Sequence, residues 1–367
     1  MDQPFGVAEW ATGSMAGSAA NPWRRDPVLV GLEAPLSGAQ RDNGRDMWRG
    51  AQLAAEQLNR EGGILGRPVK LLRADDQADP ARALPVARSL RRRGADAVIG
   101  PYNSSVGILN LPWYLEKQIL PVHLTSTDDT DGEGVTVQPK NRQIAPVEAN
   151  YILSQGLTKV SMLVDPSTFT TGMADRLQAA LEADGVAVQR FSVPPGSADY
   201  TQVINQALAS DPGLIYTSTY YPEGSVIARQ LAASGSAAQR FMGLANVDPA
   251  FVQEAGLEVA RSCVFSGTPA APQLPTAGAY VKAYKKRFDR TPGVWGTFTY
   301  DSLKLLAQSM EKADSTSFRP ALDTMLQTEN YKGQTGRISI DQLTGNRVKV
   351  PVFILRVDQD GVFVVNG

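Results

Sequence analysis

From residue 28 onward, short apolar runs alternate with stretches in which apolar positions recur every three or four residues. Val28–Ala34 reads VLVGLEA, a short run that predicts a strand. Gly44–Asn59 then places Met47, Ala51, Ala54, Ala55 and Leu58 on one face of a helix, and Gly62-Gly63 stops it. Val69–Ala74 predicts a strand, Ala81–Arg93 a helix, Ala97–Gly100 a strand, Ser104–Lys117 a helix and Ile119–Leu124 a fourth strand. Strand–helix–strand units of this kind predict a parallel sheet with helices on both faces.

The pattern then restarts. Helices are predicted at Ala145–Gln155, Thr171–Ala183, Tyr200–Ala209, Gly224–Ser234 and Pro249–Glu254. Between them fall strands at Val160–Val164, Gly185–Phe191, Leu214–Thr217 and Phe241–Leu244. The tail breaks the alternation with three helices, Thr276–Phe288, Trp295–Glu311 and Phe318–Gln327. Three short strands follow, Arg337–Ile340, Val350–Val357 and Val362–Val364, the last two joined by a tight turn at Asp360-Gly361. Late helices must pack on a sheet already formed, so the chain is expected to return to the first unit and to end near the second. The fold class is α/β, two doubly wound parallel-sheet lobes joined by several hinge crossings. Lobe 1 is expected to hold 28–145 plus 267–347, and lobe 2 146–266 plus 348–367.

Composition narrows the function. Lys plus Arg is 36 and Asp plus Glu 37, so there is no basic excess and nucleic acid is not an expected partner. No run approaches the roughly 18 apolar residues of a membrane span. The chain has one cysteine, Cys263, and one histidine, His123, which excludes an internal disulfide and argues against a metal centre. A Ser/His/Asp or Cys/His site would have to use His123, which lies inside an apolar strand and reads as a core residue. Cys263 reads as buried packing, and Arg91-Arg92-Arg93 as a solvated helix end. Asp129–Gly134 resembles the start of a calcium loop, but its twelfth position is Lys140. Phosphate-loop, nucleophile-elbow and dinucleotide signatures are absent. No cofactor and no catalytic activity are expected. Residues 1–27 read as a flexible leader or the remnant of an export signal, with Ser18-Ala19-Ala20 supplying the small residues of a cleavage site.

In open parallel sheets, ligands bind beyond the carboxyl ends of the strands. The exit loops here are rich in hydroxyls, amides and rings: Pro35–Gly38, Tyr102-Asn103-Ser104-Ser105, Thr125-Ser126-Thr127-Asp128, Asp165–Thr171, Ser218–Tyr221 and Ala245–Asp248. Several run straight into a helix start, where free N–H groups favour an anion. Ser104, Ser105, Ser126 and Thr127 are positioned to hold a small carboxylate, with Tyr102, Phe169 and Tyr220 walling its apolar part. Serine, threonine and asparagine before a helix also serve as caps, and Asn103 or Ser104 fits that role as well.

At these residues the sequence resembles the type I periplasmic solute-binding proteins, in particular the leucine/isoleucine/valine-binding branch that serves ABC transporters. The matching pieces are Pro35–Gly38, the helix from Gly50-Ala51 to Asn59, Gly62–Gly66, Asp75-Asp76 with Asp79-Pro80, Val98–Pro101 and Ser104-Ser105. In the second half they are Tyr220, Pro222-Glu223 and Phe241–Gly243, and the resemblance covers roughly 28–367. It implies an extracytoplasmic, monomeric protein that closes by a hinge on a small amino acid or related carboxylate or amide and delivers it to an ABC permease. A cytoplasmic ligand sensor on the same fold is the alternative, should 1–27 be the true start. The resemblance puts the ligand at Ser104, Thr125, Ser126 and Thr127 in the first lobe and at Phe169 and Tyr220 in the second. In that family an acidic residue after the Phe-x-Gly strand pairs with the ligand's ammonium; here that position is Ala245, beside Asn246. Asp248, Asp128 or Glu223 would have to replace it, or the ligand is not an α-amino acid. An occasional first-lobe disulfide of the family is also missing, with Ala78 and Asn103 at its positions.

Overall fold

The computed structural model describes residues 26–366, so the leader expected at 1–27 lies, apart from its last two residues, outside the described part. The first half runs β1 (Val28–Ala34), α1 (Arg41–Arg60), β2 (Val69–Asp75), α2 (Ala83–Arg92), β3 (Ala97–Ile99), α3 (Ser104–Glu116), β4 (Leu120–His123) and β5 (Val135–Thr136). The second runs α4 (Asn141–Ser154), β6 (Lys159–Val164), α5 (Thr168–Ala183), β7 (Ala187–Ser192), α6 (Thr201–Leu208), β8 (Leu214–Ser218), α7 (Tyr221–Ala233), β9 (Gln239–Met242), α8 (Pro249–Ala255), α9 (Leu257–Arg261) and β10 (Cys263–Gly267). The tail holds α10 (Gly278–Phe288), α11 (Val294–Lys312), α12 (Phe318–Leu326), β11 (Tyr331–Gly333), β12 (Gly336–Ile338), β13 (Phe353–Val357) and β14 (Phe363–Val365).

Most expected elements appear within a few residues of their predicted ends. β5, α9, β10 and β11 were not predicted; each has five residues or fewer, too short to show a period. The strand expected at Arg337–Ile340 is the second arm of a separate ribbon, β11–β12. α4 begins four residues before its predicted start. Pro146 suggests a first-turn position, but a turn forms upstream of it, where Gln143 Oε1 accepts the Lys140 N–H at 3.0 Å.

The first sheet has the order β2-β1-β3-β4-β5, all parallel. The second contains the same plan, β7-β6-β8-β9-β10, and extends it with β13 and β14. β13 pairs antiparallel with β10, and β14 antiparallel with β13, so the second sheet is not wholly parallel as expected. Each doubly wound order reverses once, between β1 and β3 and between β6 and β8. Those two switch points are where a ligand is expected.

The chain passes between the sheets at 137–140, 268–277 and 339–352. The lobe boundary expected at 145/146 falls inside α4, which packs on α5, β10 and β13. α10, α11 and α12 return to the first sheet and pack on α1, β3 and β4. α1 and α11 lie in backbone contact: a Cβ built on Gly50 would stand 2.0 Å from the Gly296 carbonyl oxygen. The start of α11 is pinned to α1 by Asp46, which accepts from Gly293 N–H (3.0 Å), Gly296 N–H (2.6 Å) and the Tyr284 hydroxyl (2.9 Å).

Candidate functional site

The first switch point is shaped by two close approaches. Gly100 ends β3 at φ +105°, and a Cβ there would lie 2.0 Å from the Glu33 carbonyl oxygen, so only glycine lets β3 turn away beside β1. In α3, a Cβ on Gly107 would meet the Thr125 methyl at 2.4 Å. This lets the helix start settle onto the loop after β4. Ser104 Oγ therefore reaches the Thr127 N–H at 3.3 Å. Gln138, on the first crossing, donates to Ser126 Oγ at 2.9 Å and to the Leu124 carbonyl.

The second switch point is held from its own side. Asp165 Oδ1 accepts from Ser167 N–H and the Thr170 hydroxyl, both at 2.8 Å, and so fixes the start of α5. Asn246 donates to the carbonyls of Thr219 (3.0 Å) and Gly243 (3.2 Å), tying the loops after β8 and β9 together. Its Oδ1 fills the space beside Gly224, where a Cβ would stand 1.8 Å away.

Between these ends lies a narrow cavity: about 210 Å³ of space between atoms, of which about 10 Å³ admits the centre of a water-sized sphere. Six of the predicted residues line it: Tyr102, Ser104, Ser126, Phe169, Tyr220 and Ala245. Four were not predicted: Leu124, Gln138, Leu244 and Trp295. Trp295 arrives from α11, and its ring centroid is 4.9 Å from that of Tyr102. Tyr220 stands 6.2 Å from Tyr102 and 5.9 Å from Phe169. The rings thus come from both halves of the chain and from the returning tail. A sequence signal for Trp295 existed in retrospect, a tryptophan set between Gly293 and Gly296, but only the α1–α11 contact says where it points.

The other predicted residues stand around the cavity. Asn103 and Ser105 line a separate space at the mouth of the cleft. The Thr125 hydroxyl meets His123 Nδ1 at 2.9 Å and the Thr130 hydroxyl at 2.7 Å. The Thr127 hydroxyl donates to Asp129 Oδ2 at 3.0 Å. Asp248 accepts the Ala250 N–H at 2.7 Å and caps α8; burial pushes its carboxyl up to about 7. Thr125, Thr127, Asn246 and Asp248 therefore do not line the cavity. Nor does any carboxylate or any lysine, arginine or histidine.

His123 is buried away from the cavity, and desolvation, with the nearby Lys140 ammonium, holds its imidazole well below the usual range. Cys263 is buried in β10 and donates to the Val259 carbonyl, with burial pushing the thiol up to about 11. The calcium-like loop is occupied otherwise. Asp128 and Asp131 pair with Arg142, and Lys140 Nζ lies 2.7 Å from the Thr130 hydroxyl. No group of metal-ligating side chains occurs among the described residues.

The two halves meet across the cleft. Ser105 Oγ accepts the Thr168 N–H at 3.0 Å, and the Tyr221 hydroxyl donates to the Ala39 carbonyl at 3.0 Å. Arg176 on α5 pairs with Asp128. The cavity is therefore closed over by contacts between the halves.

A family model for periplasmic binding proteins matches residues 27–362. The Leu/Ile/Val-binding protein BraC3 of Rhizobium johnstonii is 29% identical over 322 residues, covering 85% of this chain and 86% of that protein. A Leu/Ile/Val-binding protein homologue of Brucella abortus is 28% identical over 346 residues, 92% of this chain and 91% of that one. Among solved structures, the leucine binding protein LivK of Thermotoga maritima superposes with a TM-score of 0.86 at 23% identity, over 93% of this chain and 98% of its own. A Rhodopseudomonas palustris solute-binding protein in complex with benzoate gives 0.84 at 17% identity, over 93% and 96%. These two likenesses establish the fold, a type I periplasmic binding architecture. With the family match spanning nearly all the described residues and both switch points facing one closed cavity, this chain belongs to the periplasmic binding protein family.

Proposed function

We propose that this chain is the extracytoplasmic substrate-binding component of an ABC importer, and that it captures a small solute with a carboxylate or amide head and an apolar body. The observation that carries the reading is the closed cavity, lined by two serine hydroxyls, one amide and four aromatic rings. Ser104, Ser126 and Gln138 bind the head, and Tyr102, Phe169, Tyr220 and Trp295 enclose the body. Ala245 leaves room beside the rings, Asn103 and Ser105 border the mouth, and Thr125, Thr127, Asn246 and Asp248 hold the loops in place. The lobes, 28–136 with 278–338 and 141–267 with 353–365, close by hinge motion and present the loaded monomer to a membrane permease. Relatives named for leucine, isoleucine and valine support the apolar body.

The head is the point of difference. An α-ammonium in this cavity would be buried with no carboxylate on the lining, and an unpaired buried charge is strongly unfavourable. The lining suits a head without an α-amine.

Thermal unfolding of the purified chain against leucine, valine, benzoate, valerate, acetamide and urea tests this. A ligand at a hundred times its dissociation constant stabilises by ~2.7 kcal/mol, a shift of several degrees. A rise with amine-free carboxylates or amides is expected. A rise with leucine and valine alone overturns the assignment of the head, and no rise with any of them overturns the binding reading.

A further inference from the structure

Outside the closed cavity, the mouth of the cleft bounds about 690 Å³ of space open to solvent. It lies between the two switch points. Gln40, Asn103 and Ser105 border it from the first half of the chain, and Asp165, Tyr220 and Glu223 from the second. The two spaces share a wall. Tyr220 lines both, and the first turn of α3 turns Ser104 to the inner cavity and Ser105 to the mouth. Adjacent Cα atoms are about 3.8 Å apart, so the two spaces lie close together at that wall.

The mouth holds two carboxyls with no cation beside them among the described residues. Asp165 is 4% exposed and Glu223 stands in the first turn of α7. Neither forms an ion pair among the described residues, and no lysine or arginine lines the space. Their hydrogen-bond donors are all neutral: Asp165 Oδ1 accepts as described, the Tyr220 backbone N–H adds to it, and Glu223 Oε1 accepts the Gly196 N–H at 3.1 Å. Each carboxyl is held above its ordinary range by burial first, and the charge of Asp165 adds to the rise at Glu223. A third, neutral group points the same way. Asn103 is 4% exposed and lines the mouth, and its Oδ1 is buried without a hydrogen-bond partner. A buried acceptor left unpaired is costly unless a donor arrives with the ligand.

We propose that the cleft mouth is a second subsite, which takes a primary ammonium through Asp165, Glu223 and Asn103 Oδ1, so that the solute is an ω-amino carboxylate or amide. The inference rests on the reading of the inner cavity as the site of the head. An ammonium offers three donors and a positive charge, matching two carboxylates and one amide oxygen. The Tyr220 ring supplies an aromatic wall beside it. The arrangement also accounts for Ala245: with the amine at the far end of the solute, no acid is needed beside the head.

Isothermal titration calorimetry of the full chain with valerate, norvaline and δ-aminovalerate tests this, because the three differ only in the presence and place of the amine. δ-Aminovalerate is expected to bind at least about tenfold tighter than valerate, the size of one charged hydrogen bond, and norvaline no tighter than valerate. Asp165→Asn and Glu223→Gln are each expected to reduce the δ-aminovalerate to valerate preference about fivefold or more. Asp165 also fixes the start of α5, so Glu223→Gln, whose side chain is tied to the Gly196 N–H across the loop, keeps the test open if the first variant unfolds. Equal binding of valerate and δ-aminovalerate, or a preference that survives both substitutions, overturns the inference and leaves the inner cavity standing. Tighter binding of norvaline places the ammonium beside the head and overturns it too. Absence of binding by all three overturns the inference; the proposed function falls with it only if benzoate, acetamide and urea also leave the melting temperature unmoved.

Discussion

Neighbouring hydroxyls in one exit loop do different work. Ser104 faces the cavity and accepts the Thr127 N–H, whereas the Thr127 hydroxyl faces Asp129. Ser104→Ala should weaken binding of the tightest panel compound by ~1–3 kcal/mol, the cost of an unpaired polar group. Thr127→Ala should leave affinity within ~0.5 kcal/mol and instead lower stability by ~1 kcal/mol, since the hydroxyl caps the turn at Asp128–Thr130. Calorimetry with each variant, alongside urea unfolding, separates the two; equal losses of affinity would refute the distinction.

At the scale of elements, the wall that carries Trp295 depends on two helices touching backbone to backbone. In Gly50→Ala the new methyl would meet the Gly296 peptide, where nothing flexible can yield. A loss of ~1–3 kcal/mol is expected from overpacking, read as a lower urea midpoint with an unchanged slope. The α4–sheet contact gives a pH signature. Glu148 on α4 is fully buried, accepts from the Tyr216 hydroxyl at 2.8 Å and from Ser266, and burial pushes its carboxyl up to about 7. A folded value above the unfolded one means that the unfolded chain releases this proton first as pH rises. The stability it contributes is therefore present below about 4.5 and is lost on the way to about 7. Glu148→Gln should remove a share on the order of 3 kcal/mol from that pH dependence. An unchanged stability profile between those limits would show that the carboxyl ionises freely in the fold.

At the scale of the whole molecule, closure is secured by few contacts. Asp128 holds Arg142 at 2.8 Å and also Arg176 on α5, Ser105 adds two cross-cleft hydrogen bonds to Thr168, and Tyr221 adds one to Ala39. Arg176 is 45% exposed, so its pair is worth only ~0.2–1 kcal/mol and is screened by salt. Arg176→Gln should weaken ligand binding by that amount in dilute buffer and by less at high salt. Small-angle scattering of the unliganded variant should show a larger radius of gyration. Affinity indifferent to both the substitution and salt would mean that the pair takes no part in closure.

The alternation of apolar runs and helical faces determined the fold class, because strand and helix periods are local and each lobe repeats them. It also located six of the ten residues that line the cavity, since strand exits before helix starts are visible in the chain: Tyr102, Ser104, Ser126, Phe169, Tyr220 and Ala245 were legible for that reason. Burial of His123 followed from the apolar strand around it. The sequence could not tell which hydroxyl faces inward, because Ser104 and Ser105, or Ser126 and Thr127, differ by one step along a turn. Nor could it place Trp295 or Gln138, which reach the cavity through the α1–α11 contact and a crossing between sheets. The order of strands, the antiparallel pair added to the second sheet and the meeting of Asp165, Glu223 and Asn103 at one mouth are products of long-range packing. Local periodicity carries no information about which distant surfaces will face each other.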